Sequence, residues 1–247
     1  MLKYIFLGML QGVTEFLPVS SSGHLVIMQK LFGLSGEEIA LTLVLHLGSV
    51  AAVVIFFYKD IIAAIRDRST LLLILVVTLI TGAIGLAGKD FFERLFTSWR
   101  LVALALIFNG LILIWARKFM ESKSKVIGIK DAIILGFTQA IAIIPGISRS
   151  GITISTLLFR KVDRQTSFKF SFLIFLPAII GATILESGEI GLSLRGNAVN
   201  LTAGFFASLI FGLLALWVLR LIIRKTKLHY FGYYCILIGV LSLLFIK

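Results

Sequence analysis

Long apolar runs alternate with short polar breaks along this chain, and two of the breaks fall where simple loops do not belong. Six runs reach the roughly 20 residues that a helix needs to cross a hydrocarbon core: Ile39 to Tyr58, Thr70 to Ala87, Trp99 to Phe119, Thr166 to Leu185, Asn200 to Ile223 and Tyr230 to Ile246. Two more apolar regions, residues 2–33 and 130–160, are each split by a Pro, Ser and Gly cluster, Pro18-Val-Ser-Ser-Ser-Gly23 and Pro145-Gly-Ile-Ser-Arg-Ser-Gly151. Pieces that short predict re-entrant helical hairpins, which enter the protein, turn inside it and leave by the same face. The expected fold is therefore an all-α polytopic membrane protein with six transmembrane helices and two re-entrant hairpins.

The polar positions repeat. A shift of 128 aligns Gly8 with Gly136, Gln11 with Gln139, Ser20 with Ser148, Ser22 with Ser150 and Gly23 with Gly151. Residues 1–122 and 129–247 then each comprise one hairpin and three spans. Three crossings is an odd number, so the second half enters from the opposite side, an inverted-topology repeat within one membrane domain.

Composition agrees with a membrane protein: 59% of residues are hydrophobic and 15% charged, and the mean hydropathy is +1.05. A net charge of +12 in a soluble chain points to nucleic acid, but here the basic residues sit between apolar spans, so no nucleic-acid partner is expected and the charge reads as topology. Sixteen Lys and Arg fall on one side, in the loops around 59–68, 117–130, 160–169 and 220–227. Seven fall on the other: Lys3, Lys30, Lys89, Arg94, Arg100, Arg195 and Lys247. The positive-inside rule then leaves both termini outside. The lone cysteine, Cys235, excludes an intrachain disulfide and a cysteine metal cluster.

The hairpin tips carry the candidate chemistry. In each, a helix starts just after a Ser-rich turn, so free N–H groups and the positive dipole end point into the protein. Ser20, Ser22, Ser148 and Ser150 are the expected phosphate binders at two converging helix starts. Arg149, the remaining basic residue, is costly at mid-membrane unless an anion meets it, and the anion is either a phosphate or Glu15. Glu15, one turn after Gln11, is a candidate general base or, with Gln11, a ligand set for a hard divalent cation. Mg²⁺ is the first expectation and Ca²⁺ the second. His24 is a candidate proton carrier. Ser20, Ser21, Ser22 and a metal-bound water remain open as nucleophile, and His46 is a polar group supporting the site from behind.

Gln11-Gly-Val-Thr-Glu15-Phe-Leu-Pro-Val-Ser-Ser-Ser-Gly-His24, together with Pro145-Gly-Ile-Ser-Arg149-Ser-Gly151, resembles the paired signatures of the bacterial undecaprenyl-diphosphate phosphatase family, also called the bacitracin-resistance protein family. Leu45-His46-Leu-Gly-Ser49 resembles a further, weaker pattern of that family. The resemblance implies release of the terminal phosphate of undecaprenyl diphosphate, regenerating a lipid carrier for cell-wall polymers, with a divalent cation and a site open to the outer face of the bacterial cytoplasmic membrane. It implies Glu15 as the essential carboxylate, Ser21 as nucleophile or phosphate ligand, His24 as its associated histidine and Arg149 as the phosphate-binding arginine. Gln11 stands where many members have Glu, which weakens a two-carboxylate metal site. Inverted repeats with broken helices are also transporter architecture, so a flippase of a lipid phosphate is the alternative.

Overall fold

The computed structural model describes residues 1–32, 39–121, 125–186 and 198–246. Gly33 at the end of the first expected hairpin, residue 122 at the end of the first repeat, and three basic residues counted for orientation, Lys123, Arg195 and Lys247, lie outside the described residues, as does the side chain of Lys30.

The described residues form twelve α-helices and no strand: α1 (Leu2–Phe16), α2 (Ser21–Phe32), α3 (Ile39–Phe56), α4 (Tyr58–Arg66), α5 (Arg68–Ala87), α6 (Lys89–Phe96), α7 (Trp99–Ala116), α8 (Ile129–Ile141), α9 (Arg149–Phe159), α10 (Arg164–Glu186), α11 (Ala198–Arg224) and α12 (His229–Phe245). Every apolar run contains one long helix, and each split region contains two short ones. By length and composition α5, α7 with the short 3-10 turn after it, α10 and α11 suffice to cross a membrane. The α3 and α4 pair, bent by 76°, counts as a fifth if it is one broken span, and α12 is shorter at 17 residues. Large apolar side chains such as Leu72, Leu79, Phe108, Trp115 and Trp217 stand exposed along these helices, as expected of surfaces that meet lipid rather than water.

Two helices were not anticipated. The α4 and α6 segments carry acidic residues in their first turns and basic ones in their last, Asp60 with Arg66 and Asp90 with Arg94, an arrangement that suits the helix dipole. They are too short and too charged to register as apolar runs.

Small residues set the packing. Helix α1 lies along α11 and α8 along α5, while α7 lies along α12. A Cβ on Gly8 would collide with the Gly204 carbonyl oxygen, and one on Gly12 with that of Ser208. The stripe of Gly8, Gln11 and Gly12 thus faces protein and is buried, the close approach that small residues permit between membrane helices. Between α7 and α12 the contact is mutual. A Cβ on Gly110 would lie 2.5 Å from the Gly232 oxygen, and one on Gly232 would lie 2.6 Å from the Gly110 oxygen.

Around the inner end of α1, Phe16, Phe57, Phe168, Phe172 and Phe175 pack into one buried aromatic cluster with Leu113 and Leu216. At the other end of the second helix pair, buried Asp131 accepts from Lys125 Nζ at 3.0 Å, Arg160 Nε at 2.6 Å and the Gly128 backbone N–H at 3.0 Å. One carboxylate thereby ties the start of α8 to the end of α9.

Candidate active site

Pro18 has no N–H to continue α1, and the chain leaves α1 at Leu17 in an extended conformation. Ser20 then takes φ +68°, rare for a residue with a side chain, before α2 begins at Ser21. Its Oγ caps the new helix by accepting from Gly23 N at 3.2 Å and sits 3.3 Å from Ser22 Oγ. The same arrangement recurs at the start of α9, where Ser148 Oγ accepts from Gly151 N at 3.1 Å and lies 3.1 Å from Ser150 Oγ.

The two tips touch. Gly146 N donates to Ser20 Oγ at 3.1 Å, and Ser150 Oγ donates to the Phe16 carbonyl at 3.0 Å. Asn109 of α7, fully buried, bridges both: its Nδ2 donates to the Pro18 carbonyl at 3.1 Å and its Oδ1 accepts from Ser148 N at 3.1 Å. A backbone acceptor on one side and a backbone donor on the other leave only one orientation for that amide.

A cavity of about 130 Å³ lies between the tips, lined by Thr14, Glu15, Ser20, Ser21, Ser22, His46, Ala142, Ile147, Ser148 and Arg149. Glu15 is its hub. Oε2 accepts from Ser21 Oγ at 2.6 Å and from Gln11 Nε2 at 3.0 Å, with His46 Nε2 at 3.9 Å. Oε1 meets Arg149 Nη2 at 3.3 Å. The Arg149 guanidinium lies over the Phe175 ring at 3.6 Å from its centroid, a cation–π contact that holds it flat. Its Nη1 is buried without a hydrogen-bond partner among the described residues, as is Gln11 Oε1.

Glu15, Ser20, Ser21, Ser22, Ser148 and Arg149 are therefore brought together as expected, and His46 lines the cavity itself instead of standing behind it. Ser150 turns away to the Phe16 carbonyl, and Gln11 reaches Glu15 through its amide nitrogen. His24 is not part of the lining; its Nδ1 is 2.8 Å from the Ser20 carbonyl oxygen and its Nε2 is 2.8 Å from Tyr234 Oη. In the second helix pair Gln139, the counterpart of Gln11, donates to Thr81 Oγ1 at 3.2 Å instead of entering the cavity. Sequence reading missed Thr14, Asn109 and Tyr234. Asn109 carried a usable signal, a lone amide inside an apolar span; Thr14 and Tyr234 carried none.

A larger groove of about 640 Å³ adjoins the cavity and shares Thr14 with it. Its walls are mostly apolar, from Val13, Leu17, Val19, Ile222 and Phe231, with Lys227, Tyr230 and Tyr234 also present.

As a site for a divalent cation the cavity offers one carboxylate, Glu15. Among the described residues no three His, Cys, Asp or Glu side chains cluster in a way that would hold a metal. Gln11 turns its amide nitrogen to Glu15 and does not line the cavity, so the residues present fit an ion bound through the Glu15 carboxylate and substrate phosphate oxygens, a manner in which Mg²⁺ is commonly held.

Apolar helices around a buried cavity where a carboxylate, a hydroxyl and a guanidinium meet two helix starts define an all-helical membrane protein with a polar, charged cavity at its centre. Residues 4–241 match the family model described as bacitracin resistance protein BacA, and the chain belongs to that family. It is 42% identical to an undecaprenyl-diphosphatase of Carboxydothermus hydrogenoformans, over 96% of this chain and 94% of the relative. Identity is 38% to an undecaprenyl-diphosphatase of Halothermothrix orenii, over 98% and 96% of the two chains. It is 39% to one of Alkaliphilus metalliredigens, over 98% of each.

Proposed function

We propose that the protein hydrolyses undecaprenyl diphosphate to undecaprenyl phosphate and inorganic phosphate, returning the lipid carrier to cell-wall polymer synthesis. The observation that carries this reading is Arg149 Nη1, a buried guanidinium nitrogen without a partner, beside a Ser21 hydroxyl already donating to Glu15 at 2.6 Å. An unpaired buried donor of that kind suits an incoming phosphate. The relatives' names give the same substrate.

Ser21 Oγ attacks the terminal phosphorus as Glu15 takes its proton, and the bond from phosphorus to the bridging oxygen breaks. The departing undecaprenyl phosphate is a stable anion, since the second ionisation of a phosphate monoester lies near pH 6, so this step asks little of a general acid. Water then attacks the phosphoserine: one of its protons goes to Ser21 Oγ as the bond from phosphorus to that oxygen breaks, the other stays on the departing phosphate, and Glu15 releases the proton it took in the first step to solvent. Arg149 and the N–H groups at the starts of α2 and α9 neutralise charge on the transferred group. Glu15 would hold a divalent cation, Mg²⁺ or Ca²⁺, together with substrate phosphate oxygens, and the ion would supply further charge neutralisation on the phosphates. The isoprenoid chain occupies the apolar groove, a reading supported by the Thr14 that groove and cavity share.

Six spans, two re-entrant hairpins and an inverted repeat of residues 1–122 and 129–247 complete the proposal. Two features support the repeat: the duplicated Ser20 and Ser148 caps, and the exchanged pairing of α1 with α11 and α8 with α5. A twofold relation between halves demands such reciprocity. Both termini lie outside and the cavity opens to the outer face of the cytoplasmic membrane, so a C-terminal tag is expected to react with an impermeant reagent on intact cells; labelling only after lysis reverses the orientation.

The activity is tested with purified protein and undecaprenyl diphosphate. Phosphate is released with a divalent ion and stops with chelator. No release under any metal condition, together with transbilayer movement of a lipid phosphate in vesicles, makes the protein a flippase instead.

A further inference from the structure

We propose that Tyr234 is a positioning residue for this reaction, acting through His24 on the Ser20 turn from which α2 and Ser21 start. The inference rests on the phosphatase reading above. A carbonyl oxygen only accepts hydrogen bonds, so the 2.8 Å contact of His24 Nδ1 with the Ser20 carbonyl requires the proton on Nδ1. In the neutral ring Nε2 is then the acceptor, and the partner 2.8 Å away, Tyr234 Oη, is its donor. The two rings lie parallel within 2°. Tyr234 and the Ser20 carbonyl together therefore fix which nitrogen of His24 carries hydrogen. Without Tyr234 the carbonyl alone favours the Nδ1 proton, and the Nε2–H tautomer, with a lone pair toward that carbonyl, becomes accessible.

Ser20 is where that matters. It is one of three non-glycine residues with positive φ among the described residues, at +68°. Its Oγ holds Gly23 N of its own helix and Gly146 N of the other tip, and its carbonyl receives both His24 N at 3.2 Å and the His24 ring. A sparsely populated backbone geometry persists only where its surroundings over-determine it. Ser21 follows directly, and its hydroxyl must stay within reach of Glu15. Tyr234 also lines the apolar groove, so the same side chain touches the tail pocket on one side and sets the nucleophile's turn on the other. His24, which does not line the cavity, acts from outside it.

The experiment separates positioning from proton transfer. Asparagine at 24 carries its amide nitrogen as many bonds from the backbone as Nδ1 does, whereas glutamine carries it where Nε2 sits. His24→Asn is expected to keep turnover within about tenfold of wild type, while His24→Gln and His24→Ala fall well below it. Tyr234→Phe keeps the ring in the groove and is expected to lower kcat by about tenfold, the effect of one hydrogen bond, with KM changed by less than about twofold. In the His24→Asn background the same Tyr234 change has no further effect. Independently of activity, ¹⁵N-histidine NMR in lipid shows His24 with hydrogen on Nδ1 in the wild type and a tautomer mixture in Tyr234→Phe. The proposal fails if His24→Asn is as inactive as His24→Ala, if Tyr234→Phe slows the His24→Asn protein as much as the wild type, or if the tautomer is unmoved. A wild-type protein that releases no phosphate refutes the phosphatase reading instead, and the tautomer measurement still stands.

Discussion

Glutamine in place of Glu15 stops phosphate release in a protein that still inserts, folds and holds its substrate. The expected loss in kcat is about 10²–10⁴-fold, the range for removing a positioned base. KM moves the other way or not at all. Glu15 is a negative charge at 3.3 Å from Arg149, and removing it leaves the guanidinium entirely to the incoming phosphate. Arg149→Ala is expected to lower kcat by about 10²–10³-fold and to raise KM as well, because both the bound and the reacting phosphate lose their principal cation. Arg149→Lys falls between, since lysine keeps the charge but neither the planar fork nor the stacking on Phe175. Steady-state kinetics on undecaprenyl diphosphate distinguish the pair by their KM values. Near-normal kcat in either Glu15→Gln or Arg149→Ala overturns the assignment of this cavity as the active site.

Gly12→Val is the substitution with the largest expected cost in stability. A Cβ there collides with the Ser208 carbonyl and lies 2.8 Å from Gly212 N, and backbone atoms cannot rotate aside as a side-chain tip does. Overpacking of this kind costs about 3 kcal/mol, the upper end of the usual range. For a chain of this size that is a drop in Tm of about 6–12 °C, measurable by thermal unfolding in detergent. Gly82 is the control. No described residue lies within 4 Å of a Cβ built on it, so Gly82→Ala is expected to leave stability unchanged or raise it slightly through better helix propensity. Equal losses in the two variants contradict the packing of α1 on α11.

These two experiments address what was most and least legible beforehand. The Gly8, Gln11, Gly12 and Glu15 stripe could be read directly, because a helical repeat of small and polar residues in an apolar segment has few uses. The Ser20 and Ser148 caps were legible for the same reason, as duplicated polar positions 128 residues apart. What spacing could not supply was the direction in which each side chain points. His24 lies four residues beyond Ser20 and looks close enough to enter the cavity, yet one helical turn carries its ring round to the Ser20 carbonyl and Tyr234. His46 is the converse, reaching the cavity wall from a separate helix because α3 packs beside α1. Asn109 and Tyr234 act through contacts with residues far away in the chain; a lone amide in an apolar span singles out Asn109, but no local pattern encodes the partners of either. The short helices α4 and α6 were invisible to a search for apolar runs because their charges break them up.

Asn109 has a consequence for how the protein is made. Its amide joins a carbonyl of the first tip to an N–H of the second, and α1 lies along α11, a helix synthesised some 180 residues later. Early in translation the first helix pair has neither its lasting neighbour nor the other half of its tip. A truncated or half-inserted product therefore has no assembled cavity with which to attack lipid diphosphates. Supplying the two halves as separate polypeptides would then yield phosphatase only when both enter the same bilayer, making catalysis itself a report on completed insertion.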